Sequence, residues 1–448
     1  MTKSKNTIKL NPLQILILGY LLVTICGAIL LSLPVSSSKA TGQPFIDAMF
    51  LATSGISTSG LTVIDIGKDY SIFGQIVLMC IFQIGGIGYM TFVIFTSYML
   101  GIKFSITTSI IAKESIATDS FNMLGKFFKN VLLYTMIFEF AGAVVLTAFW
   151  MKEFDLLHAA YLGIFHSVSA FCTAGFSTFS NNFMSYSTST TLNMSINIIS
   201  IIGGLGFFVL IDLYNLVYKK SKNIYPRKLT VHSKMVILVT GIVMLSGAII
   251  IFLSEKWPVE MQVSERIMVS FFQSISASTT DGFNSIDIGA MSTTGLTMLM
   301  FLMFVGASPG STGGGMKTTT LATLFIAVKS YLQGKKEVNI IGKEIPQKSV
   351  LKALVVFSIF VLILLIDMLV LSYTEDVSYI RILFETVSAL GNTGLSTGIT
   401  SNLSFVGKIV LILTMFIGRV GPLTLGIALL KKHDPALYRY PQEDIFIG

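Results

Sequence analysis

Four copies of one short pattern hold the residues best placed to do chemistry in this 448-residue chain. A Phe is followed four residues on by Ser and ten residues on by Gly: Phe50, Ser54, Gly60; Phe165, Ser169, Gly175; Phe272, Ser276, Gly282; and Phe384, Ser388, Gly394. The residue after each Ser is small (Gly55, Ala170, Ala277, Ala389). Each Gly precedes a bulky apolar residue (Leu61, Phe176, Phe283, Leu395) and then a small polar one (Thr62, Ser177, Asn284, Ser396). The tails up to each glycine read Thr58-Ser59-Gly60, Thr173-Ala174-Gly175, Thr280-Asp281-Gly282 and Asn392-Thr393-Gly394. Glycine permits backbone angles that turn consecutive carbonyls toward one axis. Carbonyl oxygens from four such tails can replace the water around a monovalent cation. The chemistry implied is therefore coordination of an ion by backbone oxygen at all twelve of these residues. Enzyme chemistry has no comparable constellation: the apolar segments hold no paired carboxylates, nucleophile–base pair or metal cluster. Cys26, Cys80 and Cys172 are scattered without CxxC spacing, and His158, His166, His232 and His433 lack ligand spacing, so no disulfide framework, zinc site or resident cofactor is expected. His166, Gln273 and Glu385 occupy one position of the pattern and read as packing residues of a short helix.

Such tails must be presented by something. The Phe repeats are 115, 107 and 112 residues apart, so the chain is one unit written four times, with boundaries at 1–100, 101–220, 221–333 and 334–448. The sequence is 53% hydrophobic and 12% charged, with a mean hydropathy of +0.77, the composition of a membrane protein. Apolar stretches long enough to cross a bilayer fall near 12–34, 72–100, 127–150, 191–218, 234–254, 293–331, 350–373 and 404–430. The expected fold is an all-α integral membrane protein of four M1–P–M2 units, with eight spans and four re-entrant segments around a pseudo-four-fold pore. Irregular backbone at that depth is tolerable only where protein or a water-filled cavity surrounds it. The first apolar run, Leu13–Leu33, is too long for a signal core and reads as a membrane helix.

Charge sets the orientation. Of the 31 Lys and Arg, 22 lie at the ends or between units, among them Lys3, Lys5, Lys9, Lys103, Lys113, Lys126, Lys129, Arg227, Lys431, Lys432 and Arg439. Only seven lie between the two spans of a unit: Lys39, Lys68, Lys152, Lys256, Arg266, Arg381 and Lys408. Both termini are therefore expected in the cytoplasm of a cell-membrane protein, with the four tails entering from outside. The net charge of +8 is topological, and nucleic-acid binding is not expected. Asp65, Asp69, Glu153, Asp155, Glu255, Glu260, Glu375 and Asp376 then form an acidic outer mouth that concentrates cations.

The second span of each unit carries a second mark: Gly85-Gly86-Ile87-Gly88, Gly203-Gly204-Leu205-Gly206, Gly306-Ala307-Ser308-Pro309 and Gly418-Arg419-Val420-Gly421. These read as kinks and close contacts. In the third unit the mark extends through Gly306, Ser308, Pro309, Gly310, Gly313, Gly314, Gly315 and Lys317, and a continuous helix is not expected to survive it. Met316 spoils a phosphate-loop spacing, so nucleotide binding is not expected there; a flexible Gly- and Ser-rich backbone beneath the tails is a candidate gate. Arg419, a charge midway along a span, either hydrogen-bonds that loop from the pore or pairs with an acid such as Asp367 or Glu139. Lys317 either takes part in the gate or snorkels to the inner surface.

The four-fold unit, the single glycine per tail, Gly418-Arg419-Val420-Gly421-Pro422 and the glycine-rich break in the sixth span resemble one family over essentially the whole chain, including Arg439-Tyr440-Pro441 to Gly448. They resemble the Trk/Ktr/HKT superfamily of potassium transporters, in particular bacterial membrane subunits of the KtrB/KtrD type. The resemblance implies K⁺ uptake, a homodimer, and a cytoplasmic ring of nucleotide-binding RCK subunits. It also implies that Gly60, Gly175, Gly282 and Gly394 form the selectivity filter and residues near 306–317 the gating loop. In plant relatives Ser at the first filter glycine accompanies sodium preference, and Gly60 favours potassium; Asp281 is a less usual residue before the third. The alternatives are a sodium-preferring or Na⁺-coupled K⁺ transporter, and a proton-coupled carrier using Glu139, Asp212 and Asp367 as relays.

Overall fold

The computed structural model describes residues 12–88, 121–222, 228–421 and 424–426, with Pro441 and Glu443. Residues 89–100 and 427–430 of two expected spans lie outside the described residues. So do Lys3, Lys5, Lys9, Lys103, Lys113, Arg227, Lys431, Lys432, Arg439, Pro422 and most of the closing segment.

One order of elements recurs along the chain. A long apolar helix (α1, Pro12–Ser32; α4, Phe121–Trp150; α8, Val231–Ser254; α12, Gln347–Thr374) leads to a shorter one. These shorter helices are α2 (Phe45–Ser57), α5 (Leu156–Phe171), α9 (Val263–Thr279) and α13 (Tyr379–Gly391). An extended tail follows, then a third helix: α3 (Ile72–Ile87), α6 (Thr190–Leu205), α10 (Thr293–Val305) and α14 (Phe405–Val420). The third helices all start the same way. Ser71, Ser189, Ser292 and Ser404 are N-caps whose hydroxyls accept from the amides of Gly74, Leu192, Gly295 and Gly407, satisfying a donor that would otherwise be orphaned.

The long helices present apolar side chains outward. Leu351, Leu354, Leu362, Leu365 and Leu369 of α12 are all exposed, a face suited to lipid rather than water. Among the described residues three helices are long and apolar enough to cross a membrane, Phe127–Trp150, Val231–Ser254 and Gln347–Thr374. A fourth span is available if Thr190–Leu205 and Phe207–Ser221 (α7) count as one, although they meet at 98°. The short helices form the core instead: Phe50, Phe165, Phe272 and Phe384 are each fully buried.

The third helices end where the glycine marks stand. Gly88, Gly206, Gly306 and Gly421 close them with φ of +86°, +92°, +70° and +87°, angles at which a side chain is strained. Just before these breaks the helix presses on the end of a short helix. A Cβ on Gly85, Gly203 or Gly418 would lie 2.2, 2.1 or 2.3 Å from the carbonyl oxygen of Ile56, Phe171 or Leu390. The expected close contacts are therefore present at three of the marks, and among the described residues the expected kink is seen at Gly206, where the two helices meet at a near right angle. In the third unit the helix stops at Val305 and resumes only at α11 (Thr318–Leu332), leaving a twelve-residue loop. One departure from the all-α expectation lies in the last inter-unit link. Val338–Ile340 (β1) and Lys343–Ile345 (β2) pair antiparallel around Ile341 and Gly342, both with positive φ, as a two-residue hairpin turn requires.

Candidate functional site

The motif residues earn their spacing at the ends of the short helices. Thr58, Thr173, Thr280 and Asn392 adopt φ between +50° and +58°, a left-handed turn that stops each helix. The next amide then reaches back to the motif serine: Ser59, Ala174, Asp281 and Thr393 donate to the carbonyls of Ser54, Ser169, Ser276 and Ser388 at 2.7–2.9 Å. Three of the serine hydroxyls also staple the far side of the turn. Ser169 Oγ donates to Phe176 O at 2.9 Å, Ser276 Oγ to Phe283 O at 2.6 Å, and Ser388 Oγ accepts from Gly394 N at 3.0 Å.

The four tails close into a ring. A Cβ on Gly60 would lie 2.5 Å from Ala174 O, on Gly175 2.2 Å from Asp281 O, on Gly282 2.0 Å from Thr393 O, and on Gly394 2.2 Å from Ser59 O. Each missing side chain is thus the space taken by the carbonyl of the next strand, in the cyclic order one, two, three, four, one. Thr58, Ser59, Thr173, Ala174, Thr280, Asp281, Asn392 and Thr393 are all buried, so all twelve tail residues singled out by the motif meet at one place.

The residues at the His166 position brace this ring from its outer side. His166 Nε2 pairs with Ser177 Oγ at 3.1 Å, and Gln273 Nε2 donates to Ser285 Oγ at 3.3 Å. Glu385 accepts from Ser396 Oγ, Thr397 N and Thr400 Oγ1 at 2.5, 2.9 and 2.9 Å. Their work is packing and bracing.

Beneath the ring runs the loop Gly306–Lys317. It folds back on itself, Ala307 N donating to Gly314 O at 3.2 Å and Lys317 N to Val305 O at 2.9 Å. Ser308 N and Thr312 N donate to Gly204 O and Gly203 O, and Gly310 O accepts from Phe207 N. Pro309 O packs on Gly206. Toward the ring, Gly314 N donates to Thr280 Oγ1 at 2.9 Å and Thr58 Oγ1 to Thr312 O at 3.3 Å. Thr312 Oγ1 donates to Phe171 O at 2.9 Å and lies 3.3 Å from Thr173 Oγ1. Gly313 and Gly314 approach Thr280 and Asn392 so closely that a Cβ would sit 2.5–2.6 Å away. Gly315 in turn packs on Gly306. The loop therefore touches the turn residue of every strand.

Arg419 takes the loop alternative, not the ion pair. Its Nη1 donates to Thr312 O at 2.5 Å and its Nη2 donates to Gly85 O. The two proposed acids are engaged elsewhere: Asp367 accepts from Thr414 Oγ1 at 2.7 Å and Glu139 from Gln83 Nε2 at 3.0 Å. Lys317 does not snorkel; its Nζ donates to Gly313 O at 2.7 Å and Gly314 O at 3.2 Å. Thr312 escaped the sequence reading. Its only signal was a hydroxyl amid glycines, yet it links Arg419, the loop and two of the strands.

Cavities open on both sides. The one expected to face outward, about 600 Å³, is floored by Gly60, Gly175, Gly282 and Gly394 and walled by Asp65 and Asp69. The other, on the loop side of the ring, about 480 Å³, is lined by Gly313–Lys317, Lys352 and Arg419. Asp65 keeps its charge at the wall of the first. Burial raises its pKa, but hydrogen bonds from Ser180 and Lys68 outweigh burial, and the net shift is below the ordinary carboxylate value. The acidic mouth is narrower than expected. Glu255 and Glu375 are tied to the N-caps Ser292 and Ser404, and Glu153 accepts from Tyr186 Oη. The candidate proton relays do not connect: Asp212 accepts from Thr230 N and Oγ1 at 2.8 and 2.9 Å, apart from the partners of Glu139 and Asp367. Among the described residues no group of three or more His, Cys, Asp or Glu is arranged to hold a metal ion.

A buried ring of backbone carbonyls between two cavities, carried on apolar helices, defines a multi-pass membrane transport protein rather than an enzyme. Residues 11–439 match the family model TrkH, cation transport protein, and the chain belongs to that family. It is 35% identical over 449 residues to the potassium/sodium uptake protein NtpJ of Enterococcus hirae, covering 98% of each chain. It is 35% identical to the Ktr system potassium uptake protein B of Vibrio alginolyticus, covering 97% of this chain and 94% of that one, and 33% identical to the protein of the same name from Bacillus subtilis over 98% of each. The fold is similar to the crystal structure of the potassium transporter TrkH from Vibrio parahaemolyticus, with a TM-score of 0.74 at 21% identity, covering 96% of this chain and 87% of that one.

Proposed function

We propose that this chain carries K⁺ into the cell through the ring of four strands. The carbonyls of Thr58, Ser59, Gly60 and their counterparts in the other three strands coordinate the ion, and the loop Gly306–Lys317 with Arg419 is the gate. The observation that carries the reading is the cyclic contact of each ring glycine with the carbonyl of the next strand. Four carbonyl-bearing strands held against one another replace a hydration shell at fixed spacing. The relatives named for potassium uptake support K⁺ as cargo.

In this reading the four units are 1–100, 101–220, 221–333 and 334–448, with eight spans, re-entrant α2, α5, α9 and α13, and both termini cytoplasmic. The gate works by occlusion and charge. The loop touches every strand from below, and the Arg419 guanidinium on Thr312 O places a positive charge on the exit path. A homodimer with a cytoplasmic RCK-type nucleotide-binding regulator completes the proposed assembly, the regulator acting on the loop from the inner cavity. A sodium-using variant of the same mechanism is the second reading, favoured by the likeness to a protein named for potassium/sodium uptake.

The test is ion flux into liposomes holding the purified chain, comparing K⁺, Rb⁺, Na⁺ and Li⁺ at a clamped potential. Flux of K⁺ and Rb⁺ driven by voltage alone supports the filter. A requirement for external Na⁺ selects the second reading. A requirement for a proton gradient overturns both and returns attention to Glu139, Asp212 and Asp367.

A further inference from the structure

α7 leaves the end of α6 at 98°. The bend has a local cause: Gly206 has φ of +92°, and a Cβ there would lie 2.6 Å from Pro309 O. A helix at right angles to one that crosses a bilayer lies near the membrane plane. α7 also meets the start of α8, where Thr230 N and Oγ1 donate to Asp212, and α8 begins its own apolar span at Val231. α7 therefore lies at the membrane surface, on the loop side of the ring.

Its side chains sort as a surface helix requires. Phe207 and Val209 are buried, and Phe208 packs on Phe127 of α4 with ring centroids 4.8 Å apart. Tyr214, Val217 and Tyr218 are spaced by three and four residues and so share one face; they are 57%, 67% and 47% exposed. The helix ends in Lys219, Lys220 and Lys222, the last two exposed, and Lys129, Lys228 and Lys234 nearby are exposed as well. The one acid of α7, Asp212, is engaged by Thr230. Aromatic residues on an apolar stripe beside lysines are the pattern of a helix lying in the headgroup layer. Tyrosine suits that depth, with an apolar ring and a wet hydroxyl, and lysine stems cross apolar surface to reach phosphate.

The same helix holds the loop. Phe207 N, a first-turn amide with no partner inside its helix, donates to Gly310 O at 2.9 Å. The Phe208 ring lies so near Gly310 that a Cβ there would come within 2.8 Å. Any force on α7 is thus delivered to the middle of the Gly306–Lys317 loop.

We infer that α7 is an interfacial helix that binds anionic phospholipid headgroups through Lys219, Lys220 and Lys222, with Tyr214, Val217 and Tyr218 set in the lipid, and that this contact steadies the loop beneath the ring. A stripe of apolar side chains continuous with lysines fits a surface that is apolar within and anionic outside. An acidic protein face would meet the lysines and leave the stripe uncovered. The inference rests on the proposed gate. In this structure the loop lies under the ring while α7 lies in the plane, so lipid that holds α7 there favours the closed loop, and losing that lipid raises basal flux.

The experiment uses the purified full-length chain carrying Tyr218→Trp in liposomes, with the unsubstituted chain supplying the background of Trp150 and Trp257. Brominated phosphatidylglycerol is expected to quench the added fluorescence more than brominated phosphatidylcholine at equal mole fraction. That excess should vanish in Lys219→Gln/Lys220→Gln/Lys222→Gln and at high ionic strength. Basal K⁺ flux of the wild type is expected to be several-fold higher in phosphatidylcholine alone than with phosphatidylglycerol present, and the triple variant should give the high value in both. Equal quenching by the two lipids overturns the inference, as does no quenching, which means that a second copy covers the face. A lipid dependence of flux that persists in the triple variant also overturns it, because surface charge then acts on K⁺ itself. So does glycerol phosphate in solution lowering flux as phosphatidylglycerol does, the mark of a free-phosphate site. The ionic-strength series on the unsubstituted lysines decides the matter if the triple variant does not fold. Failure of the gate reading shows separately: Arg419→Gln then leaves basal flux unchanged while the excess quenching remains.

Discussion

Replacing Gly60 by Ser perturbs the ring at a point where the geometry sets the size of the effect. The new Cβ would lie 2.5 Å from Ala174 O, whereas ordinary contact begins at 3.4 Å, so strand one or strand two has to move by about 0.9 Å. Both atoms belong to backbone, and no side chain can swing aside to absorb the shift. A second cost comes from φ of +84° at Gly60, where a side chain adds about 1–2 kcal/mol of strain. The displaced carbonyl belongs to the ring, so we expect the disturbance to fall on ion preference. A relative loss of about 1.4 kcal/mol is a tenfold fall in K⁺/Na⁺ flux ratio, and a fall of at least that size is expected in the liposome assay. Gly342→Ala separates the two costs. Gly342 has φ of +72° but nothing within 4 Å of its missing Cβ, so it carries the strain without the displacement and should lower thermal stability while leaving the ratio alone. An unchanged ratio in well-folded Gly60→Ser, or an equal fall in both variants, would refute the ring as the origin of selectivity.

Three further outcomes follow from the contacts beneath and around the ring. Arg419→Gln removes the guanidinium that holds Thr312 O and Gly85 O, and deletion of Gly313–Gly315 removes the amide bound to Thr280 Oγ1; both should raise basal K⁺ flux several-fold, and lower flux from folded protein would make the loop a structural strut. Lys408 Nζ and Asp47 Oδ1 are 2.6 Å apart with side chains only 16% and 14% exposed, joining α14 to α2 and so the fourth unit to the first. Asp47→Asn should cost about 1–3 kcal/mol, seen as a lower melting temperature in detergent, and an unchanged melting temperature would remove this pair from the closure of the ring. Asp65 has its pKa held below the ordinary carboxylate value, so the stability it contributes is present above about pH 4 and is lost only as pH falls through its depressed value. K⁺ uptake at low salt should therefore persist down to that range, and Asp65→Asn should weaken uptake at low ionic strength but not at high, where the mouth potential is screened; an equal effect at both ionic strengths would argue against electrostatic concentration of cations.

Much of the site was legible in the chain because its parts are local. The Phe–Ser–Gly register specifies a short helix, a left-handed stop and a serine that grips the turn, all within about a dozen residues. Repetition then implied four such stops. Gly206 and the run from Gly306 to Gly315 announced breaks because glycine and proline act on their own backbone. By contrast, Arg419 offered two partners that sequence could not rank. Its contacts, Thr312 and Gly85, are 107 and 334 residues away, and both are carbonyl oxygens, which every residue possesses. Thr312 was missed for the same reason, and the acids Glu255 and Glu375 read as mouth charges because their N-cap partners lie 37 and 29 residues downstream.

The sequence by itself determined that this is an apolar, four-fold repeated helical chain with glycine-bearing stops in register, and its resemblance to the Trk/Ktr/HKT superfamily agrees with the family match. Hydropathy, turn chemistry and helix stops depend on neighbouring residues and can be read in order along the chain. Only the tertiary structure decided that each ring glycine makes room for a carbonyl of the following strand, that the broken helix lies under all four strands, and that Asp281 turns its acid toward Ser200. Those are contacts between residues 33 or more apart in the chain, set by how separate helices and loops pack against one another, and packing has no signature in local sequence.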